Sequence, residues 1–206
     1  MAVISFRDAT YNLGLLAGDG SGFGLRNHEI VSTSTVAGTA QVRAVGLPLY
    51  TFKLDLPRQM DQFRAGQWRG ILMSLRGGVN RLEAYDPAHQ FPAGTARGDR
   101  TLGASAAKGA PSVSVTGSGT VLPGDWLQIG TTLGASQLVM VTAAATLPAT
   151  VQITPPVFFA FGAGARVRVD RPCTFFRMAG KMPEFGGVGG TTNLYGASVE
   201  FVESFT

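Results

Sequence analysis

The stretch LYTFKLDL at residues 49–56 alternates apolar and polar side chains from Tyr50 onward. The apolar members of this alternation are Tyr50, Phe52, Leu54 and Leu56. Successive side chains of a strand point to opposite faces, so these four share one face and the polar side chains occupy the other. The stretch therefore predicts a strand in a sheet that buries one face.

The next stretch, PRQMDQFRAGQWRGILMSLRGG at residues 57–78, changes the period of the pattern to that of a helix. Pro57 suits the first position and the glycine pair at 77 and 78 suits the end, so a helix is predicted over about 57–76. The predicted stripe that faces the sheet comprises Met60, Phe63, Arg64, Gln67, Trp68, Ile71, Leu72 and Leu75. The opposite face is predicted to carry Arg58, Gln62, Arg69, Met73 and Arg76. Gly66 and Gly70 are predicted to let the helix approach the sheet closely.

The composition of the whole chain favours β-structure. Of the 206 residues 28 are glycine, and only 15% are charged, against roughly 25% in an average globular protein. Few charges leave little material for exposed helices, whereas many glycines provide turns. Short alternating runs also precede residue 49, at 3–6, 29–35 and 40–45. Together with the helix, these runs predict a mainly β fold with one packed α-helix.

Residues 101–170 differ from the rest of the chain because charged side chains almost vanish there. Five short apolar runs recur in this region, at 112–116, 125–129, 137–142, 151–154 and 166–169. Short strands at regular spacing are typical of small barrels or sandwiches. Further alternating runs at 173–178 and 193–205 can complete the first sheet. We therefore predict one domain from residues 1–100 and 171–206, with a barrel-like domain inserted at 101–170.

Motifs of enzyme chemistry are missing from the sequence. The glycine-rich run at 18–24 fits neither the dinucleotide fingerprint nor a phosphate loop, and is predicted to be a flexible surface loop. His28 and His89 have no third nitrogen or thiolate ligand and are predicted to be surface residues. Cys173, the single cysteine, is predicted to be a buried apolar side chain. The sequence thus predicts no catalytic residues, no cofactor and no metal.

The chain is mildly basic, with a formal net charge of +4. Its densest group of positive side chains is Arg58, Arg64, Arg69, Arg76 and Arg81. This group is either a solvated helix face or a basic surface that faces a polyanion. No apolar stretch approaches the roughly 20 residues of a membrane span, and the first residues lack the features of a secretion leader. We expect no membrane partner.

Four aromatic residues permit two interpretations: Trp126, Phe158, Phe159 and Phe161. Such side chains usually belong to a core or an interface. Alternatively, they form a platform on which sugar rings stack. The second interpretation makes a carbohydrate-binding β-module an alternative function.

Several runs of the sequence resemble tail proteins of long-tailed bacteriophages and prophages. In the runs LPRQM (56–60) and WRGILMSLRGGVNRLEAYDP (68–87), a helix with a central tryptophan leads through Arg-Gly-x-Val-Asn-Arg into a strand that ends in Asp-Pro. The run PAGTARG (92–98) continues the resemblance. Four later runs resemble the inserted β-module of the same group: GDWLQIG (124–130), QLVMVT (137–142), VQITPP (151–156) and VDRP (169–172). The resemblance covers residues 56–180.

The arrangement resembles the distal tail proteins of siphovirus-like phages in particular. The resemblance implies the fold of those proteins: a tail-tube-like β-sandwich with one packed α-helix, plus an inserted small β-barrel module. The resemblance implies a structural virion protein, not an enzyme, that forms a hexameric ring at the distal end of the tail. Its partners would be further copies of itself, the tail tube protein and the tail-tip hub or baseplate proteins. DNA would pass through the lumen without specific binding. The protein would be made in the bacterial cytoplasm and reside in the virion, and another tail component, such as a tube or terminator protein, stays an alternative.

A ring subunit needs surfaces that meet its neighbours, and the sequence offers two kinds. The basic helix face supplies charged contacts, and glycine-rich loops can become ordered on assembly. The predicted subunit-interface residues are Arg58, Arg69, Arg76, Gly20, Gly22, Gly187 and Gly189.

Overall fold

A computed structural model of the chain describes residues 2–6, 21–33, 40–44, 46–56, 62–182 and 198–205. These residues form fourteen strands and one α-helix, α1 (Gln62–Ser74), which a 3-10 turn follows at Arg76–Gly78. The earlier strands are β1 (Val3–Ser5), β2 (Gly22–Arg26), β3 (Glu29–Thr33), β4 (Ala40–Ala44), β5 (Leu49–Asp55) and β6 (Arg81–Tyr85). The later strands are β7 (Asp99–Thr101), β8 (Ser112–Val121), β9 (Trp126–Thr132), β10 (Ala135–Val141), β11 (Ala145–Thr154), β12 (Arg166–Arg168), β13 (Cys173–Met178) and β14 (Ser198–Glu203).

The first sheet contains six strands in the order β1-β6-β13-β14-β5-β2. β1 and β6 run parallel, and the other neighbouring pairs are antiparallel. The predicted alternation of β5 is confirmed, since Tyr50, Phe52 and Leu54 are buried. Phe52 lies opposite Phe201 of β14, with the two rings stacked. One face of this sheet is therefore apolar and covered.

Helix α1 packs into the same hydrophobic core as β5 and β13. Its buried side chains recur every three or four residues: Ala65, Trp68, Ile71, Leu72 and Leu75. The Trp68 ring lies 5.5 Å, centroid to centroid, from the ring of Phe6. The prediction that Phe63 joins this stripe is wrong, because Phe63 lies five positions before Trp68, about 140° around the helix. Its side chain is 73% exposed.

The glycines of the helix region differ in their roles. A Cβ added at Gly66 or Gly70 would meet nothing within 4 Å, and both residues are exposed, so the prediction that they allow close packing is wrong. Gly77 and Gly78 have φ values of 66° and 103°, the left-handed conformation that favours glycine where a helix ends. The α-helical part stops slightly before its predicted end, at Ser74. Among the described residues, no helix has the length and apolar character needed to cross a membrane.

Replacing Gly66 and Gly70 by alanine is expected to stabilise the chain. Alanine is favoured over glycine in a helix interior by roughly 1 kcal/mol, and both positions have open space for a methyl group. Urea unfolding followed by circular dichroism measures the gain. Gly77→Ala is the matched control and should destabilise, because alanine is strained at positive φ. A loss of stability in the Gly66→Ala/Gly70→Ala variant would contradict the open space that lies beside both glycines.

The second sheet contains six strands in the order β7-β12-β9-β10-β11-β8. It is nearly closed into a barrel, because a bridge between Leu102 and Val115 joins the segment after β7 to β8. Its interior is a second hydrophobic core that includes Leu127, Ile129 and Val139. The predicted fold class, mainly β with one helix and a small barrel-like unit, is thereby confirmed.

The barrel and the first sheet meet through both apolar and polar contacts. The chain leaves the first sheet after β6 and returns to it at β13, and the domain boundaries at 101 and 170 stay a prediction. Trp126 and Leu138, on barrel strands, belong to the core of the first sheet. The buried Gln128 Oε1 accepts hydrogen bonds from the Cys173 backbone N–H at 3.0 Å and from the Arg168 guanidinium at 3.3 Å. A satisfied polar side chain thus links the two units.

Two strands are absent from the sequence prediction. β2 contains the end of the glycine-rich run that was expected to be a loop, and residues 18–20 of that run lie outside the described residues. Gly24 pairs with Thr51, and a Cβ at Gly24 would meet Thr51 Oγ1 at 2.9 Å. Glycine there permits a close approach within a strand, so the loop prediction is wrong for residues 22–24. The three residues of β7 are too few to show an alternating pattern.

Candidate assembly surface

In the part of the chain that the structure describes, the histidine and cysteine side chains do not gather into one site. His89 Nδ1 lies 3.0 Å from Asp86 Oδ2, while His28 lies against Gly46. Within the described ranges, no group of three or more His, Cys, Asp or Glu side chains could hold a metal ion. Cys173 is fully buried, as predicted, and its thiol donates a hydrogen bond to a backbone carbonyl. These residues offer no recognisable nucleophile or metal centre.

The aromatic residues considered for sugar stacking are mostly buried. Trp126 packs edge-on against Tyr50, with 5.3 Å between the ring centroids, in the core of the first sheet. Phe158 and Phe161 are each less than a tenth exposed, and Phe159 is half-buried against Phe205. A sugar ring needs an open aromatic face. The interpretation of these side chains as a platform for sugar stacking is therefore wrong.

A buried carboxyl group joins three strands of the first sheet. Glu203 Oε1 accepts a hydrogen bond from the Thr174 hydroxyl at 2.6 Å, and Oε2 accepts one from the Tyr50 backbone N–H at 3.0 Å. Burial raises the pKa of Glu203 to about 7, although both hydrogen bonds favour the carboxylate. Burial and, second, the nearby Glu203 carboxylate raise the pKa of the Tyr50 phenol. The sequence reasoning missed Glu203 as a buried group. The signal that could have indicated its burial is its position two residues after Phe201, on the apolar face of β14.

The predicted interface residues divide into those that the structure describes and those that it does not. Arg69 and Arg76 are exposed on α1 and on the turn after it. Gly22 begins β2, an edge strand of the first sheet. The others lie outside the described residues: Arg58, Gly20, Gly187 and Gly189. The contacts of all seven with a neighbouring subunit stay a prediction.

Exposed apolar side chains concentrate in one region of the chain. Eleven large apolar side chains are exposed in the described residues, and five of them lie in the span 25–47: Leu25, Ile30, Val31, Val42 and Leu47. Three of these belong to β3 and β4, which pair only with each other among the described strands. We call this two-stranded element, residues 29–33 and 40–44, the ribbon. The sequence predicted its strands but not that their apolar side chains would be uncovered.

An apolar groove of about 200 Å³ lies between the edge of the first sheet and the barrel. We define the groove by its apolar lining: Phe23, Leu25, Tyr50, Trp126, Met140 and Pro155. No ribbon residue lines it. β2 forms one wall and is the last strand of its sheet, so its outer backbone edge has no partner among the described strands. An open edge beside an apolar groove is a surface on which another strand can pair.

No protein-family model matches the chain, and no curated protein matches it either. The features of the chain that bear on function are therefore the ribbon, the groove and the architecture that holds them.

Proposed function

We propose that this chain is a structural protein of a phage virion, which forms a hexameric ring at the distal end of the tail and joins the tail tube to the tip or baseplate. The observation that carries the proposal is the concentration of exposed apolar side chains on the ribbon, where Ile30, Val31 and Val42 are each more than half exposed. A lone two-stranded ribbon is marginally stable in water, and apolar side chains that stay exposed on it favour association. A subunit that is completed by its neighbours accounts for both features.

The architecture supports the same proposal. The sequence resemblance implies a β-sandwich with one packed helix and an inserted small β-barrel, and the chain has a mainly β fold with one helix and a barrel-like second sheet. The first sheet ends in β1 and β2, which are edges among the described strands. Open edges invite pairing with other chains, so a monomeric protein has to protect them, whereas a ring subunit can use them.

The surface charge is compatible with the passage of DNA. On the exposed side of β5 and β14, Lys53 forms an ion pair with Asp55 at 3.2 Å and lies opposite Glu200. Arg26 on β2 adds a second positive charge to this mixed surface. A strongly basic wall would bind many phosphates and hold DNA, whereas a surface of mixed charge attracts it weakly. This composition suits a surface that lines a lumen.

Light scattering on a sizing column, combined with negative-stain imaging, tests the oligomeric state. We expect a species of six times the 21.5 kDa chain mass that images as a ring with an open centre. Mass spectrometry and immunogold labelling of purified virions from the source bacterium test the location. We expect the label at the distal end of the tail. A chain missing from virions would contradict the proposal, and label along the whole tail would identify a tube subunit instead.

A further inference from the structure

We infer that Arg171 and the pocket next to it bind a segment of a partner protein in which an acidic side chain lies close to a large apolar side chain. The Arg171 guanidinium holds the carboxylate, and the pocket holds the apolar group. The inference rests on the proposed function, because it names a surface through which the ring meets another protein of the virion. This surface is separate from the ribbon and shares only Trp126 with the lining of the groove.

The pocket lies where three segments of the chain meet: residues 88–93, the turn before β9 and the residues that lead into β13. Its volume is about 240 Å³. Small-molecule sites usually measure roughly 300–1,000 Å³, so this pocket suits a single side chain. We call it the proline pocket and define it by its apolar lining: Phe91, Pro92, Pro123, Trp126, Val169 and Pro172.

The guanidinium of Arg171 lies over two aromatic rings. Its central carbon is 5.6 Å from the centroid of the Tyr85 ring and 5.9 Å from that of the Phe91 ring. A guanidinium is attracted to an aromatic face within about 6 Å. Phe91 is 55% exposed and also lines the proline pocket, so the positive charge lies one ring away from the pocket.

This guanidinium has no carboxylate partner among the described residues. Its Nε is buried and has no hydrogen-bond partner. In contrast, Arg168 forms ion pairs with Glu83 at 3.6 Å and with Asp99 at 3.5 Å. Charges that are withdrawn from water are usually paired, because their desolvation is costly. The carboxylate of a ligand supplies the missing partner, and the planar guanidinium can bind it through two parallel hydrogen bonds.

Three aspartates on the segments that form the pocket or lead to it are engaged elsewhere. Asp86, Asp125 and Asp170 each accept a hydrogen bond from a backbone N–H. Asp125 also lines the proline pocket, so a second carboxylate is unfavourable inside the pocket. The charge of the ligand therefore belongs at Arg171 and its apolar group belongs in the pocket.

The backbone of Arg171 is held in an unusual conformation. Its φ of 44° is in the left-handed region that favours glycine. The Arg171 N–H donates a hydrogen bond to the Gln90 carbonyl at 2.7 Å, and its carbonyl accepts one from the Cys173 thiol at 3.1 Å. Strained residues that the surrounding structure fixes in this way are common at binding sites. An arginine at this position is costly for the fold, which favours a role in binding.

The first probes are N-acetylphenylalanine, which has both a carboxylate and an aromatic ring, and its amide, which lacks only the charge. Saturation-transfer NMR titrations measure the affinity of the wild-type chain for both. We expect the carboxylate to bind at least about tenfold more tightly than the amide, because charge-assisted hydrogen bonds are the stronger ones. Equal affinities, or no binding of the carboxylate, would overturn the inference.

Variants assign this preference to Arg171. The two probes are expected to bind Arg171→Gln equally, and a preference for the carboxylate that persists in this variant would overturn the inference. Lys108→Gln is the matched control and should keep the preference, because it removes a positive charge from an exposed side chain outside the pocket lining. Phe91→Ala changes a half-exposed side chain, so it should weaken the binding of both probes without unfolding the chain.

Overlapping peptides from the other tail proteins of the source virion test the class of partner. The wild-type chain is expected to retain peptides that Arg171→Gln does not retain, each with Asp or Glu near a large apolar residue. Retention of no peptide, retention of peptides without an acidic residue, or binding of single-stranded DNA that depends on Arg171 would overturn the inference. The proposed function, in contrast, is contradicted by the absence of the chain from purified virions.

Discussion

Replacing Trp68 by alanine is expected to destabilise the chain by about 3–5 kcal/mol. The indole is fully buried, and among the described residues it is the largest fully buried side chain. It packs against Phe6, with 5.5 Å between the ring centroids, where α1 meets the first sheet. Alanine would leave a cavity there, because the surrounding core relaxes only in part. Since a domain is usually stable by about 5–15 kcal/mol, the variant would be marginal.

Urea unfolding followed by circular dichroism measures this loss, and Phe63→Ala in the same helix is the matched control. The Phe63 side chain is 73% exposed, so its removal should change the free energy of unfolding by no more than about 0.5 kcal/mol. A loss below about 1 kcal/mol for Trp68→Ala would mean that the helix presents another face to the sheet.

Strand β5 of the first sheet was predictable because it buries only one face. Its alternation of apolar and polar residues from Tyr50 onward corresponds to the alternation of buried and partly exposed positions. β13 spans the predicted range 173–178, and β14 lies within the predicted range 193–205. A one-residue shift of such a strand would expose its apolar side chains. The local sequence therefore contains the information that fixes both strand and burial.

The errors of prediction arise where a distant residue decides the structure. Gly24 is part of a strand because Thr51 approaches it closely, and no local pattern announces Thr51. Trp126, for which the sequence left a core position and a sugar platform open, is buried because Tyr50, far away in the sequence, lies against its ring. Phe63 is exposed because the sheet covers only the side of α1 that carries Trp68. Each case depends on a tertiary contact rather than on propensity.

The candidate assembly surface was predictable only in part. Alternating runs predicted strands at 29–35 and 40–45, and the structure has β3 and β4 there, with residues 34–39 outside the described part. Among the described strands these two pair only with each other, which no local pattern in their sequence indicates. The groove joins residues from β2, β5 and three barrel segments, so no single stretch of sequence contains it. Interface surfaces of this kind are properties of the folded chain.

Replacing Glu203 by glutamine is expected to stabilise the chain relative to the wild type. The gain in the free energy of unfolding should be about 3 kcal/mol larger at pH 8 than at pH 4.5. The sign follows from the pKa of Glu203, which burial raises from 4.5 to about 7 in the folded chain. Between pH 4.5 and about pH 7 the Glu203 carboxyl group keeps its proton in the folded chain and releases it in the unfolded chain. The stability that depends on Glu203 is therefore fully present below about pH 4.5 and is lost as the pH rises through 7.

Glutamine preserves the contacts of the protonated carboxyl group. Its carbonyl can accept the hydrogen bond from the Tyr50 backbone N–H, and its amide can donate to the Thr174 hydroxyl, which both donates and accepts. Because the amide carries no charge at any pH, the variant lacks the loss of stability that the wild type shows near neutral pH. At acid pH the two chains should therefore be similarly stable.

Urea titrations of both chains at pH 4.5, 6, 7 and 8 measure the difference in their free energies of unfolding. The contributions of all other carboxyl groups cancel in this difference, because both chains contain them. Glu200→Gln is the matched control, because it removes a charge from the exposed face of the same strand. It should change the difference by less than about 0.5 kcal/mol across this range. A difference that stays constant with pH for Glu203→Gln would show that water reaches this carboxyl group in solution. The covered face of the first sheet would then be open where β13, β14 and β5 meet.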